Sequence, residues 1–132
     1  MLRWFELSPE AKEEVVDKIR RVLEGEGAVS FAYLFGSFLE GGPFRDVDVG
    51  VYLGVETDPI EAAVYAEELS AKLSREVGLP VDVVVLNFAP SWIKKAALEG
   101  RPLVVRDEAR WAALWACLID EEYLFKTAFG ES

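Results

Sequence analysis

Histidine is absent from this 132-residue chain, glutamine is absent too, cysteine occurs once and asparagine occurs only as Asn87. Each absence removes a class of chemistry. A Ser-His triad is excluded, and so is a cysteine nucleophile activated by histidine. Zinc sites built from histidine or several cysteines are excluded as well. A lone Cys117 forms no internal disulfide, and its setting, Leu114-Trp115-Ala116-Cys117-Leu118-Ile119, reads as a thiol packed in the core. Basic residues are also scarce, 14 against 24 acidic ones, for a formal net charge of −10. A chain this acidic is poorly suited to gripping a phosphate backbone, so direct nucleic-acid binding is not expected. The same charge suits a basic partner protein. Long hydrophobic runs are missing: the longest wholly apolar stretch, residues 111–119, falls far short of the roughly 20 residues that span a bilayer. The first residues contain no signal-peptide hydrophobic region. The expectation is a cytoplasmic protein with no membrane contact.

What is present is an apolar share of 52%, enough to build one real core in a chain of this length. No repeat, linker or low-complexity stretch divides the sequence, so residues 1–132 read as one domain. Ser8 followed by Pro9 signals a helix start, with Val15, Val16, Ile19, Val22 and Leu23 on one face and an end near Gly25. Strands are expected at 28–35 and 46–53, separated by a Gly36-Ser37 turn, a short helix or loop, and the breaker Gly41-Gly42-Pro43. Asp58-Pro59-Ile60-Glu61 opens a second long helix that stops at Gly78. A third strand follows at 80–87, then a short helix opened by Pro90-Ser91-Trp92, running to Glu99 and stopped by Gly100, a fourth strand at 101–106, and a last helix capped by Asp107 and reaching about Ala128. The fold class is α+β: a small mixed β-sheet packed with helices.

The chemistry concentrates in three places. An apolar strand runs into Gly36-Ser37. After the spacer from Phe38 to Arg45, a second strand opens with Asp46-Val47-Asp48. Alternation along a strand puts both carboxylates on one face, about 7 Å apart, while Val47, Val49 and Val51 enter the core. A third acid, Asp82, interrupts the apolar run Val81-Asp82-Val83-Val84-Val85-Leu86, where an unpaired carboxylate is costly to bury. Magnesium takes hard oxygen ligands, commonly one or two carboxylates together with substrate phosphates. A third acid on a neighbouring strand completes a two-metal site or accepts a proton from an attacking hydroxyl. Gly36 lets a phosphate approach the backbone, and Ser37 adds a hydroxyl and an amide. Taken singly, each of these is an ordinary turn or strand end; their order on these elements is what carries the reading.

With Phe35-Gly36-Ser37, Asp46-Val47-Asp48-Val49 and Val81-Asp82-Val83-Val84, the chain resembles a minimal nucleotidyltransferase of the DNA polymerase beta superfamily. Within it, the likeness is to the antitoxins that pair with HEPN-domain toxins. The ending Glu121-Glu122-Tyr123-Leu124-Phe125-Lys126 resembles theirs as well. The resemblance implies a polymerase-beta-like nucleotidyltransferase fold and transfer of AMP from ATP, with two magnesium ions, to a hydroxyl. In the antitoxin branch that hydroxyl is a tyrosine of the HEPN ribonuclease. By position, Asp46 and Asp48 would hold both metals, Asp82 the catalytic one, and Gly36 and Ser37 the triphosphate. The chain departs from the pattern where Phe38 stands in place of the arginine many relatives carry after Gly-Ser. Arg45, beside the acids, is the candidate substitute for that charge.

Two other readings stay open. The chain is a contact-only antitoxin with a vestigial site, or a nucleotidyltransferase acting on a small molecule. Residues 111–119 are apolar all round, unlike a surface helix of a small domain. They are expected either to pack centrally or to form a homo- or hetero-oligomeric contact through the C-terminal helix.

Overall fold

The computed structural model describes the backbone of residues 3–128 and the side chains of residues 3–120. Tyr123 and its neighbours in the ending singled out above lie outside the described side chains.

The helices start and stop where their capping residues dictate. Helix α1 (Pro9–Glu24) has Pro9 in its first turn and the Ser8 hydroxyl accepting from Ala11 N at 3.1 Å. Helix α3 (Pro59–Val77) has the Asp58 carboxylate accepting from Glu61 N at 2.8 Å, and it ends at Gly78, whose φ of 74° is left-handed. Between them run strand β1 (Val29–Phe35), the single-turn helix α2 (Ser37–Glu40) and strand β2 (Val47–Leu53). Strand β3 (Val81–Val85) follows α3, and the chain then tightens into a 3-10 turn (Leu86–Phe88). Helix α4 (Ser91–Leu98), strand β4 (Arg101–Val105) and helix α5 (Glu108–Ala128) complete it. The third strand is thus shorter than the expected 80–87. The Asn87 amide turns inward instead, accepting from Leu53 N at 2.8 Å and donating to Leu53 O at 3.0 Å, which ties off the end of β2.

The four strands lie in the order β3-β2-β1-β4, with β1 antiparallel to both its neighbours and β2 parallel to β3. The parallel pair is joined by α3, a crossover that an antiparallel hairpin would not need. Alternate strand residues build two cores. Val47, Val49, Val51, Val81 and Val83 point to the side covered by α1 and α3, where Ile19, Leu23, Leu69 and Leu73 meet them. Phe31 and Tyr33 point to the other side, with Leu86, Leu98 and Leu118. There the Phe31 and Tyr52 rings stack at 4.9 Å.

Over its described side chains, residues 108–120, helix α5 buries one face only. Trp111, Leu114, Trp115 and Leu118 pack on the second core, and Trp111 Nε1 donates to the Tyr33 hydroxyl at 2.6 Å. The opposite face, including Ala112, Ala116 and Ile119, is exposed. Cys117 falls on that exposed side, so the expectation of a core thiol is corrected. The apolar stretch is longer than the surface available to cover it. No helix among the described residues is long and apolar enough to cross a membrane.

Candidate active site

The three carboxylates come together because of strand register. In the parallel pair, Asp48 lies directly opposite Asp82, with Val47 opposite Val81 and Val49 opposite Val83. The flanking valines are buried on the α1/α3 side, so alternation turns Asp48 and Asp82 to the other face. Asp46 sits just before the first residue of β2, two residues from Asp48. At this end of the sheet the second core is represented by the half-buried Phe35, which pairs with Asp48. Asp46 and Asp48 are half-buried and Asp82 is exposed. Asp82 therefore bears only part of the burial cost its apolar neighbours suggested, because β3 is an edge strand.

Gly36 closes the site from the β1 side. Phe35 pairs with Asp48 across the antiparallel ladder, and the chain then turns at Gly36 with φ of 84°. A Cβ at Gly36 would collide with the Asp48 carboxylate. The bare backbone and the acid are therefore in direct contact. Ser37, the first residue of α2, is exposed beside them. Helix α2 is held from behind: Lys12 Nζ donates to Phe38 O at 2.8 Å and lies over the Phe38 and Phe44 rings, at 4.9 and 5.2 Å. Phe38 is thus a buried anchor, packed edge-on against Phe44 at 4.9 Å.

The electrostatics are those of concentrated negative charge. Burial, followed by the Asp46 and Asp82 carboxylates, pushes the Asp48 carboxyl up to about 6. Burial, Asp46 and Glu67 raise that of Asp82. Arg45 does not relieve this. Its guanidinium lies over the Trp4 ring at 5.2 Å, so the expected substitute for the missing arginine is engaged elsewhere. Among the described residues no group of three or more His, Cys, Asp or Glu side chains is arranged to hold a metal ion by itself. What the three acids offer is an open set of hard oxygen donors repelling one another. That set fits a divalent ion whose remaining ligands are phosphate and water. A cavity of about 360 Å³ lies behind α2, between Lys12, Glu13 and Arg101, and none of the three acids lines it.

Sequence reading missed the residues that set up the acidic edge. Ser74 Oγ accepts from Val81 N and Ser70 Oγ from Val83 N, both at 2.9 Å, so α3 satisfies the outer edge of β3. Glu67, one turn before, reaches Asp82 electrostatically. The signal was the spacing: positions 67, 70 and 74 fall on one helical face.

The family model described as Polymerase beta, Nucleotidyltransferase matches residues 17–109. A comparison with curated proteins found no match. Among solved structures, the chain is similar to one from the complex of tri-AMPylated Shewanella oneidensis HEPN toxin with MNT antitoxin: 20% identity, TM-score 0.66, covering 89% of this chain and 91% of that one. A toxin-antitoxin structure with AMP-PNP matches at 22% identity and TM-score 0.67, covering 86% and 90%. The MntA-HepT toxin-antitoxin matches at 18% identity and TM-score 0.60, covering 92% of each chain. At these identities the likeness establishes the fold, which agrees with the expected α+β class.

Proposed function

Because the chain belongs to the polymerase beta nucleotidyltransferase family, we propose that it moves AMP from Mg-ATP to a tyrosine hydroxyl of a HEPN-domain ribonuclease toxin. The transfer would silence that toxin, making this protein an antitoxin of the cytoplasm that works as one domain over residues 1–132. The observation that carries the reading is the register that sets Asp48 beside Asp82, with Asp46 adjacent and the Gly36 backbone against the Asp48 carboxylate. The partner and the nucleotide are supported by the structural relatives, a tri-AMPylated HEPN toxin complex and a complex with AMP-PNP.

In this reading Asp46, Asp48 and Asp82 are the metal ligands and catalytic carboxylates, and Gly36 and Ser37 bind the triphosphate. Those carboxylates would hold magnesium, which when bound would supply charge neutralisation and a lowered pKa for the acceptor hydroxyl. The acceptor oxygen forms a bond to the α-phosphorus as the bond to the pyrophosphate oxygen breaks. Asp82, the most exposed of the three acids, takes the acceptor proton and passes it to water. The Gly36 and Ser37 amides and the Ser37 hydroxyl hold the leaving phosphates, so most of the rate gain comes from positioning. Lys12 fixes α2, and with it Gly36 and Ser37, by its bond to Phe38 O.

Label transfer tests this. The protein is incubated with magnesium and native cell extract, using α-labelled and γ-labelled ATP in parallel, with the double variant Asp46→Asn/Asp48→Asn as control. A polypeptide labelled only from the α position, and absent in the control, is the expected result. Absence of α label on any polypeptide would overturn it in favour of a small-molecule acceptor or a contact-only antitoxin.

A further inference from the structure

Strand β3 carries Asp82 at the edge of the sheet, and an edge strand has a ladder along one side only. Its five residues pair with β2 in the parallel sense, the slightly less stable of the two ladders. Asp82 also lies opposite Asp48 in that ladder, with Asp46 close by. Asp48 and Asp46 repel Asp82 across the strand pair, a force that acts to splay the edge strand outward. The strand that bears the third carboxylate therefore needs an anchor on its outer side, and the described sheet ends there.

Helix α3 supplies that anchor. Ser74 Oγ accepts from Val81 N and Ser70 Oγ accepts from Val83 N, both at 2.9 Å. Val81 and Val83 are the residues on either side of Asp82. Val47 N donates to Pro80 O, and alternate residues of a strand turn their backbone groups to the same side. Pro80 and Asp82 thus turn inward to β2, while Val81 and Val83 turn outward to the serines. Asp82 is fixed on one side through its own backbone and on the other through both neighbours. The two periods match: four residues of helix advance about 6 Å, and two residues of strand advance about 6.6 Å. Gly78 ends α3 in a left-handed turn, and only Leu79 and Pro80 then precede β3. The last turns of the helix therefore run back alongside the strand. Leu69 and Leu73, each next to a serine in sequence, are buried in the first core and hold α3 in place.

The geometry assigns Ser70 and Ser74 a part in the transfer reaction as positioning residues: their hydroxyls hold the backbone on both sides of Asp82 and keep its carboxylate in register with Asp48. The inference rests on the transfer reading above, in which Asp82 serves the acceptor and Gly36 and Ser37 bind the triphosphate. Loss of the serines then impairs the chemical step and spares nucleotide binding. The variants are Ser70→Ala, Ser74→Ala, the two together, and Ser70→Thr/Ser74→Thr, which returns both hydroxyls. AMP transfer from Mg-ATP to a purified HEPN-domain ribonuclease gives kcat and KM. Manganese serves as a paramagnetic probe of the carboxylates. Its binding is titrated with an ATP analogue that carries a methylene group between the α and β phosphorus atoms and cannot react. Hydrogen exchange at the Val81 and Val83 amides reports the two bonds themselves. All are measured well below the lowest melting temperature of the set.

The double alanine variant is expected to lose about tenfold or more in kcat, the scale of a sub-ångström misplacement, with KM for Mg-ATP within about twofold of wild type. The more weakly held manganese ion should loosen by a similar factor, and the ion held with the nucleotide should stay. The Val81 and Val83 amides should exchange faster, and the threonine pair should restore all three properties. Unchanged kcat and manganese binding alongside a lower melting temperature would make the serines structural only and overturn the inference. Equal loosening of both ions, or a rise in KM as large as the fall in kcat, would overturn it by showing collapse of the whole site. Unchanged exchange at Val81 and Val83, or threonines that restore nothing, would remove the hydroxyls from the account. A wild-type chain that transfers no AMP to the HEPN protein overturns the transfer reading, and manganese binding then decides the positioning alone. Selective loosening of the weaker ion upholds it, and an unchanged or absent weaker ion overturns it.

Discussion

Gly36 and Asp48 are in contact through the absence of a side chain: the space a Cβ would occupy at Gly36 is filled by the Asp48 carboxylate. The same glycine has φ of 84° and ψ of −164°, a region that other residues enter only at a cost of about 1–3 kcal/mol. Gly36→Ala therefore does two kinds of damage. It strains the turn into α2 and pushes Asp48 away from Asp82. The expected outcome is a drop of several degrees in melting temperature and a loss of AMP transfer of at least 100-fold. Calorimetry and the label-transfer assay check both. A variant with full transfer activity would show that Gly36 is only a turn residue.

Asp48 makes the unliganded protein sensitive to pH in a particular direction. Burial and its two acidic neighbours raise its carboxyl from 3.8 to about 6, so its protonated form favours the fold. That contribution is complete below 3.8, declines as pH rises and is lost above about 6. The Glu26 carboxylate, bonded by Tyr65 and Lys72, is held below its ordinary 4.5. Its contribution is lost only at lower pH, so it does not mask the effect between pH 7 and pH 5. The unliganded chain should gain melting temperature over that interval. Asp48→Asn should raise it at pH 7 by an amount worth about 1 kcal/mol, after allowing for solvent screening, and should flatten the profile. A wild-type profile that falls from pH 7 to pH 5 would contradict the assignment.

Much of this architecture was legible in the sequence because its signals are local. Ser8-Pro9, Asp58-Pro59-Ile60-Glu61 and Gly78 announce their helix ends with side chains or φ angles that act within one turn. The facing of Asp46 and Asp48 follows from strand alternation alone. Contacts between distant segments were not legible. The register of Asp48 against Asp82 depends on how far α3 carries the chain before it returns. The early end of β3 depends on Asn87 reaching Leu53, and the fate of Arg45 on Trp4, which is far away in sequence. Cys117 was misread for a related reason. Hydrophobic character predicts burial only where another surface is present, and α5 meets the sheet on one side.

The hydrogen bond from Trp111 Nε1 to the Tyr33 hydroxyl, 2.6 Å long, ties α5 to the sheet. Tyr33 is 3% exposed, so water does not readily replace it as acceptor. Tyr33→Phe leaves the indole N–H unpaired, at a cost of about 1–3 kcal/mol. The loss should be localised. Amide exchange in the first turns of α5 should accelerate more than in α1 or α3, whose buried side chains pack in the other core. Equal acceleration throughout the chain would indicate that α5 and the sheet unfold as one unit.

Arg106 connects the end of β4 to the end of α1. Its guanidinium donates to Leu23 O at 3.1 Å, to Glu24 O, to Glu26 O at 2.7 Å and to Val29 O at 3.3 Å. These are carbonyls at and just beyond a helix C-terminus, where a cation also opposes the negative end of the dipole. Arg106→Met keeps much of the aliphatic stem and removes every donor. The expected cost is about 2–3 kcal/mol, seen as a lower urea midpoint with an unchanged slope. Arg106→Lys should recover less than half of that loss. A lysine keeps the charge but presents its donors from a single point, and it cannot span carbonyls on both sides of the α1–β1 turn. Full recovery by lysine would mean that charge at the helix end, rather than the geometry of the fork, carries the stabilisation.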